Sequence, residues 1–464
     1  MVLKKYIPHY IANLKLALPI VVAQLGQILV QLADNIMVGQ WGGDNPVPLA
    51  AVSFGGATSM LLFLFGIGMA MGLTPIVGEL IGRRQKGRTP SWLLNSVVLN
   101  LTLGVLLMLV QLAVQPLLFH MGQPREVVEE ALPYFRIMAY SLPPMMLFCS
   151  FKQFLEGIGN TWISMLVLIG ANLLNVLFNW FLIYGTCGFP ELGVTGAALA
   201  TFISRVLAPI VIIIVFTAHR PLREFVQGWN RQMLSWHSVK QLIYMGFPIG
   251  WQMLLEMSAF AFSNIMMGWF GTVAIGANQI AMTLGNCVFM IVTALGATTT
   301  IRVSQCYGAR EYRKLSLMSK ASLHMVVVWN ILAAICFVAL RNYLPLIFTT
   351  NKEVVSLAAT LLVCAASYQF FDGIQNVSIG ILRGLQDVKI IPHISFLSYI
   401  VLNLPVGYLL AFTLGWGPKG LVLSYVVGLG TTAILCLLRI RRNIHKLYTN
   451  AAGGADTAKM AEQV

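Results

Sequence analysis

The sequence predicts an all-α integral membrane protein in which twelve transmembrane helices form two parallel six-helix repeats around a central cavity. Composition is the first reason: mean hydropathy is +0.78 and only 10% of residues are charged, whereas soluble domains carry about 25% charged residues. Length is the second, since 464 residues hold about a dozen spans of roughly 20–25 residues with short loops. The third is an internal repeat.

Hydropathy and helix breakers place the spans in two runs of six. The first run comprises 16–41, 49–80, 91–120, 130–155, 163–185 and 193–217. The second comprises 243–271, 275–305, 316–341, 354–381, 390–413 and 418–438. This division predicts an N-terminal lobe over 1–217, a cytoplasmic connector over 218–242, a C-terminal lobe over 243–442 and a disordered tail over 443–464.

The second run repeats the first. The segment 35–39 (NIMVG) recurs as 264–268 (NIMMG), at an offset of 229 residues. Further matches follow in the same order at offsets of 226 to 227 residues, among them Gly82 with Gly308 and Gly193 with Gly420. Because each repeat holds six spans, both repeats have the same orientation, and the pseudo-twofold axis runs along the membrane normal.

Charge predicts the topology. The formal net charge is +14, and the Lys and Arg residues concentrate in loops that follow even-numbered spans, which places those loops and both termini in the cytoplasm. Nucleic acid is therefore not an expected partner of this basic chain. We expect a multi-pass monomer in the lipid bilayer of a bacterial cytoplasmic (inner) membrane.

Three acidic residues interrupt long uncharged stretches. Asp34 stands alone in 16–43, Glu256 in 241–301 and Asp372 in 354–382. A carboxylate at the centre of a bilayer costs about 2.5–3.5 kcal/mol on insertion scales, so such residues normally face a cavity, find a partner or carry a cation. The alternative is that each acid is fixed by hydrogen bonds between helices. Three of them favour an ion-coupled transporter.

Uncharged polar residues near these acids are further candidates. Tyr368 lies one turn before Asp372, where it either bonds the carboxyl or offers its ring to a cation. Neutral oxygens for Na⁺ near Asp34, or alternatively helix-to-helix hydrogen bonds, are expected from Asn175, Asn179 and Thr201. Cavity-lining positions are expected at Gln27, Gln279, Asn286 and Gln375.

Two prolines occupy equivalent positions in the first helix of each repeat, Pro19 and Pro248. A proline inside a helix removes one backbone hydrogen bond and permits bending. We therefore expect hinges at these positions, although the same bend is also compatible with a static kink.

Several segments resemble the multidrug and toxic compound extrusion (MATE) family, and specifically its NorM-like branch. They are LADNIMVG (32–39), NVLFNWFLIYG (175–185), GFPIGWQMLLE (246–256), ANQIAM (277–282) and YQFFDGIQNVSIGILRGLQD (368–387). The resemblance implies a twelve-helix antiporter with two six-helix lobes. It implies cation-coupling roles for Asp34, Glu256 and Asp372, with Tyr368 as the aromatic partner, and first-lobe sodium ligands at Asp34, Asn175, Asn179 and Thr201.

The function expected from the sequence is secondary active efflux. Cationic or amphipathic compounds would leave in exchange for Na⁺ or H⁺, by rocker-switch alternating access and without a cofactor. The alternative is a flippase or exporter of a lipid-linked or endogenous amphipathic metabolite, whose phosphates would call for basic residues in the spans. An enzyme is not expected, because the spans show neither a nucleophile with a base nor a metal cluster. The sequence also lacks a G-x-x-x-x-G-K-[ST] loop for ATP.

Overall fold

The computed structural model describes residues 3–451, and that range is helical without a strand. The α-helices of the first half are α1 (Ile7–Gly42), α2 (Val47–Met71), α3 (Leu73–Gly82), α4 (Thr89–Val114), α5 (Arg125–Tyr140), α6 (Leu142–Gly157), α7 (Thr161–Tyr184), α8 (Gly193–Ala218) and α9 (Arg220–Arg223). Those of the second half are α10 (Trp236–Gly268), α11 (Thr272–Gly308), α12 (Tyr312–Ala339), α13 (Lys352–Gly384), α14 (Ile390–Ser395), α15 (Leu404–Tyr408) and α16 (Pro418–Ala451). The predicted all-α class is confirmed.

Within the described residues, ten helical stretches are long and apolar enough to cross a membrane. They correspond to ten of the twelve predicted spans. The other two predicted spans are helical as well: 243–271 falls in α10, and 130–155 is divided between α5 and α6 at Ser141. Two causes act there. The buried Ser141 hydroxyl donates to the Met138 carbonyl (2.7 Å), and Pro143 and Pro144 bring no N–H group to the first turn of α6.

The second half begins earlier than predicted, because α10 starts at Trp236, inside the expected connector. Asn95 of α4 fixes this start through both ends of its side-chain amide. Its amide nitrogen donates to the Met233 carbonyl (2.8 Å), and its amide oxygen accepts from the Ser235 N–H (3.0 Å). A buried amide that satisfies two loop backbone groups holds the connector against α4.

The expectation of a disordered tail is wrong for residues 443–451, which continue α16 as a helix. The physical reason is contact with the rest of the chain. Asn443 donates to Asp387 (2.6 Å), and the Tyr448 hydroxyl donates to the Tyr312 carbonyl (3.1 Å). Residues 452–464 of the predicted tail lie outside the described range.

The chain divides into two compact units whose boundaries fall inside helices. The N-unit comprises Val22–Val77 and Gln85–Gly250, and the C-unit comprises Met1–Val21, Gly78–Arg84 and Trp251–Val464. These boundaries differ from the predicted lobes, since they cut α1 and α10 close to Pro19 and Pro248.

In the N-unit, the start of α10 crosses α2 at glycines on both helices. A Cβ atom built on Gly68 would lie 2.4 Å from Cα of Gly250, and one on Gly246 would lie 2.2 Å from the carbonyl oxygen of Met69. Backbones this close leave no room for a side chain. Small residues that admit such approach are the usual means of helix association in membranes, where lipid removes the hydrophobic drive.

In the C-unit, polar side chains fix the first turns of α1 to α11 and α12. Arg302 donates to the carbonyl oxygen of His9 (2.9 Å) and to the Asn13 side-chain oxygen. Asn13 in turn donates to the Ser322 hydroxyl (3.0 Å). The N-terminal end of the first repeat is therefore hydrogen-bonded to helices of the second.

The predicted span 390–413 is helical but irregular. Two π-helical stretches, Phe396–Asn403 and Leu409–Thr413, flank the short helix α15. A π turn inserts an extra residue into a helical turn and is frequent at functional sites. Here the first π stretch carries Tyr399, a fully buried tyrosine.

Candidate functional site

The N-unit surrounds Asp34 with uncharged polar side chains from α7 and α8. Fully buried Asn179 donates through Nδ2 to Oδ1 of Asp34. The Asn175 amide reaches both Oδ1 of Asp34 (3.1 Å, with its nitrogen toward the carboxylate) and Oγ1 of Thr201 (3.2 Å). Asn175 and Asn179 share one face of α7 because they are one turn apart. The structure thus brings together the four residues that the sequence grouped here.

A half-buried cation that is not among the predicted site residues lies one turn beyond Thr201. Arg205 of α8 donates through Nη1 to the Ser141 hydroxyl (2.8 Å), and its guanidinium lies 4.9 Å from the ring centroid of Phe63. The sequence could have pointed to this residue, because Arg205 is the one charged residue in the predicted span 193–217.

In the C-unit, both carboxylate oxygens of Glu256 accept hydrogen bonds. Oε2 accepts from Gln252 (2.8 Å), one turn earlier on α10, and Oε1 accepts from the Tyr399 hydroxyl (3.2 Å). The Tyr399 hydroxyl accepts from the Gln375 amide (2.5 Å). Gln375, predicted to line a cavity, is instead only 1% exposed and supports the carboxylate through Tyr399.

The same chain of hydrogen bonds ends at Arg383. Its Nη2 donates to Oε1 of Gln252 (2.7 Å), while its Nε is buried without an acceptor among the described residues. Arg383 lies two residues beyond the predicted span 354–381, so the sequence places it in a loop. The structure places it in the last turn of α13, where the neighbouring α10 supplies an amide partner.

Asp372 differs from the other two acids. It is 7% exposed, and within the described range no side chain donates to it or pairs with it. Tyr368 lies one turn earlier on α13 without bonding to it there. The Tyr368 ring packs edge-on against Tyr425 instead, with 5.4 Å between centroids. Helix geometry therefore places the predicted pair on one face, and the carboxylate itself stays unpaired.

The remaining polar candidates, Gln27, Gln279 and Asn286, are exposed on their helices. An amide in a span has no partner in lipid, so exposure there favours a solvated or ligand-facing position. Their contact with substrate stays a prediction. The hinge role of Pro19 and Pro248 also stays a prediction, although each lies inside a continuous helix.

A buried acid that is not among the three predicted ones lies at the end of α6. Glu156 of α6 is 5% exposed and pairs with Lys152, one turn earlier, at 3.5 Å. The signal was a Lys and a Glu four residues apart at the end of the predicted span 130–155. Because this acid already has a cation in contact, it is a structural pair rather than an open site.

Comparison with known proteins identifies the family. A profile of the MatE family matches residues 19–181 and 248–409. The chain belongs to the MatE family. The profile matches once in each half, as the internal repeat predicts, and the resemblance to MATE proteins drawn from the sequence is confirmed.

MatE relatives extend over nearly the whole chain. "Multidrug resistance protein NorM" of Photobacterium profundum is 30% identical and covers 92% of this chain and 94% of its own. "Probable multidrug resistance protein NorM" of Mannheimia succiniciproducens is 32% identical and covers 92% of each. A solved structure of an outward-facing multidrug resistance MATE family transporter has a TM-score of 0.86 at 21% identity, over 95% of this chain and 96% of that one. The structural likeness confirms the fold class, and the relatives' names confirm the NorM-like branch.

The three carboxylates of this MatE protein are thus held in three different ways. Asp34 lies among amide and hydroxyl groups, and Glu256 is fixed by two donors and linked to a cation through one amide. Asp372 is buried without a donor within residues 3–451. Oxygen ligands of this kind suit small hard cations, and a lone buried carboxylate equally suits a proton.

Proposed function

We propose that this MatE protein is a secondary active efflux antiporter, which exports cationic or amphipathic compounds in exchange for Na⁺ or H⁺. Asp372 is the observation that carries the proposal: a carboxylate buried in a span, with no donor or cation beside it among the described residues. Such a group needs either a bound cation or a proton to be stable in an apolar surrounding. The names of the relatives, multidrug resistance proteins, support drugs as the cargo.

The mechanism that follows is competition for the carboxylates. When the cation binds at Glu256 and Asp372, it neutralises the charge that retains a cationic drug, and the drug leaves. The units then change orientation, and the cation departs on the cytoplasmic side. A monovalent charge moving inward gains about 2.3 kcal/mol per 100 mV, and every 1.4 kcal/mol corresponds to about a tenfold concentration ratio. For an uncharged drug exchanged for one cation, the membrane potential alone therefore supports export against a gradient of more than tenfold. For a monovalent cationic drug the outward charge cancels this gain, so the concentration gradient of the coupling cation, or a second cation per drug, supplies the free energy.

Asp34 supplies the second proposed cation site. The amide nitrogens of Asn179 and Asn175 face its carboxylate, and the Thr201 hydroxyl bonds Asn175. The oxygens of the same three side chains would complete an oxygen-rich site, which suits hard metal cations. This composition favours Na⁺ over H⁺ at the N-unit site. Location in the bacterial inner membrane with cytoplasmic termini, and a monomeric state, belong to the same proposal.

The test is ethidium efflux from proteoliposomes under an imposed Na⁺ or pH gradient. Wild type should export under at least one gradient, whereas Glu256→Gln and Asp372→Asn should each abolish gradient-driven export. Asp387→Asn is the matched control, since Asp387 lies outside the spans and is paired with Arg439; it should keep export. If wild type moves no ethidium under either gradient, the multidrug proposal fails, and amphipathic or lipid-linked metabolites become the candidates.

A further inference from the structure

The proposed exchange assigns no role to Arg383, a charged residue of α13. It is half-buried at the end of α13, and within the described residues it donates to the neutral amide oxygen of Gln252. Its Nε is buried, and a buried guanidinium N–H normally meets a carboxylate or a carbonyl group, because its charge is costly to desolvate. Through Gln252 it has one carboxylate close by, that of Glu256.

The Gln252 amide joins the two charges with a fixed polarity. Its oxygen accepts from Arg383 (2.7 Å), and its nitrogen donates to Glu256 (2.8 Å). Reversing the amide would turn its NH₂ group toward the guanidinium and its oxygen toward the carboxylate, and both contacts would be repulsive. Gln252 is 3% exposed, so water does not replace either contact. The arrangement therefore keeps the positive charge one amide away from Glu256.

We propose that Arg383 is a positioning residue for release of the coupling cation: a fixed counter-charge that acts on Glu256 through Gln252. The inference rests on the proposed function. A positive charge near a carboxylate weakens the binding of a second cation there, and the effect is large where water is excluded. Arg383 thus lowers the affinity of Glu256 for the coupling cation enough to let the cation leave in each cycle. A cation bound too tightly would stall exchange.

Removal of the charge should lower the cation concentration needed for half-maximal efflux. Structural damage to the site would raise that concentration instead. In Arg383→Gln the side chain keeps an amide able to bond Gln252 but loses the charge. We expect the cation concentration for half-maximal ethidium efflux to fall about tenfold, the lower end of what one nearby charge does to a binding equilibrium. The maximal rate should fall as well, because release becomes slow. Arg383→Lys keeps the charge and should stay within about twofold of wild type in half-saturation.

The experiment measures ethidium efflux from proteoliposomes at a series of driving Na⁺ concentrations and, in a second series, of driving proton concentrations. Arg439→Gln is the matched control, an Arg-to-Gln change at a cation paired with Asp387, and should leave half-saturation unchanged. If Arg383→Gln does not reach the membrane, Arg383→Met replaces it. The proposal is supported if Arg383→Gln reaches half-maximal efflux at a lower cation concentration than wild type and has a lower maximal rate.

Two results overturn the inference while the proposed function stands. One is driven efflux in wild type with unchanged or weaker half-saturation in Arg383→Gln. The other is a tenfold shift in Arg383→Lys, which would show that the shape of the guanidinium matters and its charge does not. If wild type itself is driven by neither gradient, the proposed function has failed and this inference falls with it.

Discussion

Replacing Asp372 with asparagine should leave the protein at least as stable as wild type in cation-free buffer, which is unusual for a change at a buried charged residue. The ionised carboxylate is 7% exposed and has no donor in the described structure, and a charge so placed costs about 2.5–3.5 kcal/mol. The amide that replaces it has nearly the same shape and costs about 1–3 kcal/mol if it stays unbonded. The difference favours Asn by about 1 kcal/mol.

When the coupling cation is bound, wild type should become more stable than Asp372→Asn. A ligand that binds only the folded protein stabilises it by about 2.7 kcal/mol at a hundredfold excess over its Kd. Wild type should therefore gain thermal stability when the coupling cation is added, and Asp372→Asn should gain much less. The assay is thermal unfolding of purified protein in detergent or nanodiscs, with and without Na⁺ at constant ionic strength, and across pH.

Asp387→Asn is the contrasting control. Its carboxylate accepts from Arg439 (2.6 and 3.2 Å) and Asn443 (2.6 Å). Burial alone would raise the pKa of Asp387, but these hydrogen bonds outweigh it and hold the pKa below its ordinary value of 3.8. A lowered folded pKa means stability that is present above the unfolded pKa and is lost as pH falls through the folded pKa, that is, in acid below about pH 5. At neutral pH the free energy of unfolding of Asp387→Asn should be about 1–3 kcal/mol lower than that of wild type. On acidification the variant should lose less stability than wild type.

The reasoning is refuted if Asp372→Asn lowers cation-free stability as much as Asp387→Asn does. That result would mean that the Asp372 carboxylate has a partner that stabilises it, and that it is not an open cation site.

Three further predictions concern other parts of the molecule. Asn179→Ala removes an amide oxygen proposed as a Na⁺ ligand beside Asp34, and sodium-dependent efflux should need about 10–100-fold more Na⁺, since a polar contact with a charged group contributes about 1.5–3 kcal/mol. Gly68→Leu forces a side chain onto Gly250 and should prevent a monodisperse peak in size-exclusion chromatography, whereas normal elution would disprove the close crossing. Pro19→Ala restores a backbone donor and should slow turnover in efflux assays without weakening drug binding; unchanged turnover would reject the hinge.

Much of this fold was predictable because lipid restricts the choices. A span must be helical to satisfy its backbone, so hydropathy located most helices, and the acids were visible as lone charges. Asp34 with Asn175 and Asn179 was also predictable, since residues one turn apart share a face and the resemblance supplied the pairing of helices.

What the sequence could not supply was contact between helices distant in the chain. The bond from Tyr399 to Glu256 depends on a π-helical stretch, and hydropathy does not register an extra residue in a turn. Arg383 looked like a loop cation because it closes its helix, and only packing against Gln252 shows otherwise. The helical continuation to residue 451 likewise depends on tertiary contacts such as that of Tyr448 with Tyr312, which no local pattern encodes.

Reciprocal flux tests the central claim most directly, because two solutes coupled in exchange must each drive the other. Proteoliposomes are loaded with ethidium, no cation gradient is imposed, and the movement of Na⁺ or protons is followed as ethidium runs down its own gradient. The account predicts cation movement opposite to the drug in wild type and none in Asp372→Asn. Ethidium movement without opposed cation movement in wild type would contradict it.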